Sequence, residues 1–368
     1  MFRIYRLSII LISFFTLFLL IPEISSSQLI DSVSSEHVVM RMPEGRESLG
    51  RDLIPDIERC YAFMNRATNA SLPRKIAVVV NWDLPASSYN RRDARITVGM
   101  NKPDPAANLS ALLLHNVGRE IARFGLIELS QGAQREDTEF LFEGMSEILM
   151  HEFEHSSRSL DAAWAVSRLL DDMQMLGFST QRSWSSFSGG KRCFRNAAPG
   201  ITFLTTFREL QGRERPMKLF EALRKASLTK SLESAFKAPI AEIENVWLKR
   251  VREYRVADEI TVAAEEAPKL LQTAYVPDIS QPGTTLQVRL LFKDFLGNLL
   301  TDGIFVQDER TSRVLQAQAA SEKEARYVVA MIPIESDCPP GQYSFQITAI
   351  DESGNLRRWT GNYKVVSR

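Results

Sequence analysis

Between residues 47 and 254 apolar side chains return every three or four positions, whereas beyond Ala257 they alternate with polar ones and are punctuated by Pro and Gly. The first rhythm predicts helices and the second predicts short strands. Helices are expected over 47–66, where Leu49, Leu53, Ile57, Tyr61 and Met64 fall on one side, and over 109–123, 139–176, 196–211, 216–226, 232–236 and 240–254. The long stretch 139–176 is expected to break near 156–159. Short apolar runs predict strands over 37–42, 76–80 and 95–100, and Pro103 and Pro105 end the last of them. From residue 260 onward six or seven strands are expected, among them 285–292, 303–307, 327–332, 343–350 and 362–366. Turn signals such as Pro282-Gly283 and Gly297-Asn298 separate them. The pattern describes a multidomain α+β chain: a mainly helical domain over 37–255 with a small N-terminal β unit, then an antiparallel β-sandwich over 257–368.

Residues 1–27 stand apart from this pattern. Arg3 and Arg6 precede an apolar run over 9–21, followed by Pro22 and the small polar Ser25, Ser26 and Ser27. That is the form of a secretory signal peptide, and it implies a secreted, periplasmic or extracellular protein. The alternative is an uncleaved N-terminal anchor, although the run is short of the roughly twenty residues that span a bilayer. No later segment is expected to span a membrane. Lys and Arg number 45 and Asp and Glu number 45, so no basic face is available to neutralise phosphates and nucleic acid is not an expected partner. Export permits disulfides, yet three cysteines make an odd set. A Cys60–Cys193 bridge with Cys338 left over is one reading, and three separate thiols is the other.

Three of the chain's four histidines, His115, His151 and His155, lie close together in sequence. The segment around the first reads Leu112-Leu-Leu-His-Asn-Val-Gly-Arg-Glu-Ile121, and a second segment reads Phe140-Leu-Phe-Glu-Gly-Met-Ser-Glu-Ile-Leu149. This pair resembles the gluzincins, zinc metallopeptidases of the peptidase MA clan, in which an H-E-x-x-H helix is followed by a helix carrying E-G-x-x-E. The resemblance extends over residues 37–254, and the bacterial immunoglobulin-like and fibronectin-type modules are what the segment 341–355 resembles. In such enzymes two histidines and a carboxylate hold zinc, and the glutamate beside the first histidine deprotonates the metal-bound water. The resemblance makes His115 the remnant first ligand and Glu143 the remnant third, with Glu147 supporting them. Arg119 then stands in the second ligand position and Asn116 in that of the base. A guanidinium has no lone pair to donate and repels a cation, and an amide takes no proton at neutral pH. Arg119 is therefore expected to replace the ion and to pair with Glu143 or Glu147.

A second string, His151-Glu152-Phe153-Glu154-His155, satisfies H-E-x-x-H letter for letter. Its position at the end of the 139–155 helix predicts a solvated, charged helix end. The alternative is a zinc site with His151 and His155 as ligands and Glu152 as base, with Asp161, Asp171 or Glu147 offered as third ligand. The leading functional expectation is an exported peptidase-like protein without catalysis and without a cofactor, which binds a peptide, protein or cell-envelope component. Its alternatives are a zinc-dependent peptidase, through His151, Glu152 and His155 or a variant His115 and Glu143 site, and a structural or adhesive envelope protein that recognises partners through the β-sandwich.

Overall fold

The structure is a computed structural model that describes residues 32–70, 72–84, 87–100, 108–155, 158–178, 194–260, 267–293, 299–319, 327–351 and 354–367. The leader expected over 1–27 and Cys193 lie outside the described residues. Among those residues the chain forms eight α-helices and three β-sheets.

The first sheet is built from β1 (Ser32–Ser34), β2 (Val38–Arg41), β3 (Ile76–Asn81), β4 (Ser88–Asn90) and β5 (Arg95–Gly99) in the order β1-β2-β3-β5-β4. β2, β3 and β5 run parallel, and the two short edge strands are antiparallel to their neighbours. Helix α1 (Glu47–Thr68) crosses from β2 to β3, as two parallel strands require. Along β3 the alternation sends Ile76, Val78 and Val80 into the core that also takes Leu53, Ile57 and Met64 of α1. β1 and β4 carry too few apolar positions to be read from periodicity.

Seven helices follow: α2 (Leu109–Leu129), α3 (Glu139–Glu154), α4 (Arg158–Asp172), α5 (Phe194–Gln211), α6 (Arg215–Leu223), α7 (Leu228–Phe236) and α8 (Ile240–Glu253). Asn108 caps α2 by accepting the backbone N–H of Ala111. The helix continues past the expected end at residue 123, because Phe124, Leu126, Ile127 and Leu129 keep the buried face going. It stops where Gln131 and Gly132 take positive φ.

The rest of the chain contributes β6 (Glu259–Ile260), β7 (Lys269–Val276), β8 (Thr285–Lys293), β9 (Leu299–Asp308), β10 (Arg313–Gln316), β11 (Gln318–Ala319), β12 (Tyr327–Pro333), β13 (Gly341–Asp351) and β14 (Leu356–Val365). They make two sheets, β10-β9-β13-β14-β6 and β11-β12-β8-β7, in which every strand pair is antiparallel. Leu286, Val288 and Leu290 from one sheet share a core with Ile304, Val306, Phe345 and Ile347 from the other. Between Ile304 and Val306, Phe305 points the opposite way and joins the helical core together with Val314, Ile350 and Leu356. The larger sheet is thus buried on both faces there, with α4 lying against β6 and β10. Among the described residues no helix is long and apolar enough to cross a membrane.

Candidate functional site

Helices α2 and α3 form the centre of the site because glycines let their neighbours come close. A Cβ on Gly118 of α2 would run into Met150 of α3 and Cys60 of α1. Gly144 of α3 meets Gly200 of α5 backbone to backbone, so that a Cβ on either would overlap the other helix's main chain. The glycine of the Glu143-Gly144 pair therefore serves a helix crossing. Cys60 is a free, buried thiol with its Sγ 3.9 Å from Met150 Sδ, and burial pushes it well above the usual thiol range.

On α2, His115, Arg119 and Arg123 recur every four residues; on α3, Glu139, Glu143 and Glu147 do the same. A four-residue step keeps side chains on one helix face, so the two rows confront each other across the antiparallel helix pair. His115 stands between two carboxylates, its Nε2 3.2 Å from Glu147 Oε2 and its Nδ1 3.2 Å from Glu154 Oε1. Arg119 Nη1 donates to Glu147 Oε1 at 3.1 Å, and Nη2 lies 3.6 Å from Glu120. One turn further, Arg123 pairs with both Glu143 and Glu139, and Gln134 donates to Glu139. Glu147 and Glu120 are each only 1% exposed and Arg123 4%. The result is a buried ladder of alternating charge rather than a single pair.

Of the two carboxylates offered as partner for Arg119, Glu147 accepts a hydrogen bond from it and also lies against His115. Glu143, one turn away, is bonded to Arg123 and also feels the charge of Arg119. Asn116 faces away from the ladder, with its amide 3.6 Å from Met100 Sδ at the end of β5.

The ladder sets the charge states of its members. Burial alone would lower His115, but Glu147 and Glu154 outweigh it and hold the imidazole up to about 9. Burial alone would raise Glu147, yet His115, Arg119 and His151 bring it down to about 2. Glu143 goes the other way: burial, reinforced by Glu139 and Glu147, pushes it above the usual carboxylate range against the pull of Arg123 and Arg119. The two carboxylates beside His115 thus favour its protonated form. The set does not fit a divalent cation, because the Arg119 guanidinium, which has no lone pair to donate, already lies 3.1 Å from the Glu147 carboxylate and puts positive charge where the ion would sit.

The string at the end of α3 is not the solvated helix end that its letters suggest. His151 is buried, Glu154 is committed to His115, and only His155, which ends the helix in the left-handed conformation, is exposed. His151, Glu152 and His155 nevertheless line one cavity of about 740 Å³, closed by Phe63 of α1, Leu160 of α4 and Arg208 of α5. Glu152 is hydrogen-bonded to Arg208 and to Arg213, whose Nη2 is 2.7 Å away. Burial opposes ionisation, but these guanidiniums bring Glu152 below its ordinary value, the reverse of what a general base near neutral pH needs. Of the third ligands offered for His151 and His155, Asp171 is bonded to Arg252 and Glu147 to the ladder. Among the described residues no three His, Cys, Asp or Glu side chains gather to hold a metal ion.

Arg123, Glu139, Glu154, Arg208 and Arg213 were not singled out from the sequence. The first two carried a signal, namely four-residue spacing of charge within otherwise apolar helices. Arg208 and Arg213 carried none, because they reach Glu152 from 56 and 61 positions away.

No family model and no curated protein matches this sequence. Solved structures similar to it include an aminopeptidase N family protein from Idiomarina loihiensis, at 10% identity and a TM-score of 0.36, covering 91% of this chain and 66% of that one. They include the M1 zinc metallopeptidase of Deinococcus radiodurans, at 15% identity and a TM-score of 0.33, covering 61% of this chain and 52% of that one. CopC from Methylosinus trichosporium matches 27% of this chain over 95% of its own length, at 15% identity and a TM-score of 0.20. At TM-scores this low none of these likenesses bears on what the chain does.

Proposed function

We propose that this chain is an exported peptidase-like protein that has lost catalysis and acts by binding a peptide, protein or cell-envelope component. The observation that carries this reading is the Arg119 guanidinium 3.1 Å from one oxygen of Glu147, with His115 Nε2 3.2 Å from the other oxygen of the same carboxylate. Hydrolysis of a peptide bond needs a water made nucleophilic by a Lewis acid or a base. At the His115 centre the cation slot is occupied by a side chain and the base position holds Asn116. At the His151 string the carboxylate that would act as base, Glu152, is bonded to two arginines. What remains is a scaffold with clefts, and a cleft binds without cleaving.

Elemental analysis of the purified full chain tests this, together with a peptidase assay run with and without chelator. The expected outcome is zinc far below stoichiometric and no chelator-sensitive cleavage, whereas one tightly held zinc with cleavage abolished by chelation overturns the reading. The Asn116→Glu, Arg119→His double variant sharpens the test, since it removes the guanidinium and gives Glu147 and His115 a second imidazole. It is expected to acquire about one zinc per chain.

A further inference from the structure

We infer that the free edge of β7 pairs with the same edge of a second copy of this chain, so that the protein is a two-fold dimer joined through its β-sandwich. Strand length singles this edge out. The three sheets present six edges, and β1, β4, β6, β10 and β11 fill five of them with strands of two to four residues. β7 fills the sixth with eight. An edge strand keeps about half of its backbone N–H and C=O groups turned away from its neighbour, and short length, charge and proline are what ordinarily keep another chain from them. Among the described residues the sheet order gives β7 no neighbour but β8.

The side chains leave this edge unguarded. Residues 270–277 read Leu-Leu-Gln-Thr-Ala-Tyr-Val-Pro and carry no charge. Leu271 is 58% exposed and Val276 44%, and Ile279 and Met331 are exposed as well. Val276 and Met331 both stand opposite Gln287, so one row of the outer face runs from the edge across β8 to β12. A bulge sets Leu271 apart, and from Gln272 to Val276 the strand is regular. Thr273 and Tyr275 lie opposite the core residues Leu290 and Val288, whereas Gln272, Ala274 and Val276 lie on the outer face.

That pattern suits a second copy. A two-fold axis through Ala274 sets the copies antiparallel, opposes Gln272 to Val276 and Thr273 to Tyr275, and so keeps core side against core side. Thr against Tyr is a favourable cross-strand pair of a β-branched and an aromatic side chain. No like charges meet along the regular stretch. Lys269 and Asp278 flank the strand at opposite ends, so the antiparallel arrangement brings each toward its opposite in the second copy. Because the same edge is used on both copies, assembly closes at two. The larger sheet is not open to such pairing, since α4 lies against β6 and β10 at its two edges.

Sedimentation equilibrium of the full chain tests the inference, with two double variants at exposed positions, Gln272→Lys with Val276→Lys and Gln272→Glu with Val276→Glu, run separately and mixed. The unaltered chain is expected to sediment as a dimer. Each variant alone is expected to associate about tenfold more weakly or worse, because like charges then stand directly opposite one another across the axis. The mixture is expected to dimerise again, which a chain that had merely misfolded would not do. Ala274→Cys is expected to oxidise to a covalent dimer, whereas Met331→Cys, on the same face but two strands in, is not. A chain that stays monomeric, variants that dimerise as well as the unaltered chain, a mixture that stays monomeric, or cross-linking through Met331→Cys in place of Ala274→Cys each overturns the inference. None of these readouts involves zinc or cleavage, so the inference stands or falls separately from the functional reading.

Discussion

Two clusters on α3 hold histidine and glutamate within reach of arginine, and they are built in opposite ways. At Glu147 the carboxylate is sealed between α2 and α3, flanked by Arg119 and His115, and its neighbours at Glu143 and Glu120 are buried with it. At Glu152, five residues later, the partners arrive from α5 and the turn beyond it, and Arg213 stays in solvent. A charge with no route to water must keep its partner, whereas a charge on a cleft rim can exchange it. The first cluster therefore reads as structure and the second as a place where a ligand competes.

The contrast is tested most strongly by Glu147→Ala, which leaves His115 and Arg119 facing each other without their shared anion. A loss of about 3–5 kcal/mol is expected in denaturant unfolding, the usual penalty for breaking a buried pair from one side. A stability change under 1 kcal/mol would place Glu147 with the cleft rather than with the ladder.

Next in size is the pH response, in which only the first cluster is expected to lose stability on the alkaline side. His115 is raised from an ordinary 6.5 to about 9, so its contribution is complete below 6.5 and is lost as pH climbs through about 9. Glu147 is lowered from 4.5 to about 2, so its contribution is complete above 4.5 and is lost as pH falls toward 2. Because the two groups report one shared contact, stability is expected to peak between about 4.5 and 6.5, and Glu147→Gln should flatten both flanks. Glu152, also lowered, predicts only an acid flank for the cleft. Melting temperature followed from pH 2 to 10 separates the two, since an alkaline fall that survives Glu147→Gln would have another origin.

The smallest effect belongs to Glu152→Ala. Its partners are partly solvated and screened, so the loss is expected to be about 1 kcal/mol or less. A much larger loss would mean that the rim arginines hold the fold together instead of standing ready for a ligand.

Some of this was readable along the chain. The period of α1 and of α2, the apolar run of β3, the break between α3 and α4 and the strand-rich C-terminal third follow from apolar spacing and breakers, which are local. So does the absence of donor chemistry at Arg119 and Asn116, because what a guanidinium or an amide can do for a metal does not depend on its surroundings. The edge strands β1 and β4 left no periodic mark, and neither the burial of His151 nor the pairing of Glu154 with His115 could be inferred from a string that looks like any charged helix end.

Residue type and spacing thus indicated where most elements form and that Arg119 offers no lone pair to a metal. That Glu147 lies against both Arg119 and His115, that His115 sits between two carboxylates, and that Arg208 and Arg213 bracket Glu152 at the mouth of a cleft were settled by folding alone. The reason is physical: backbone period and donor chemistry belong to a few neighbouring residues, whereas ion pairing depends on how far α3 is rotated against α2 and α5. That rotation is set by glycine contacts, Gly118 against Met150 and Gly144 against Gly200, between segments remote in sequence.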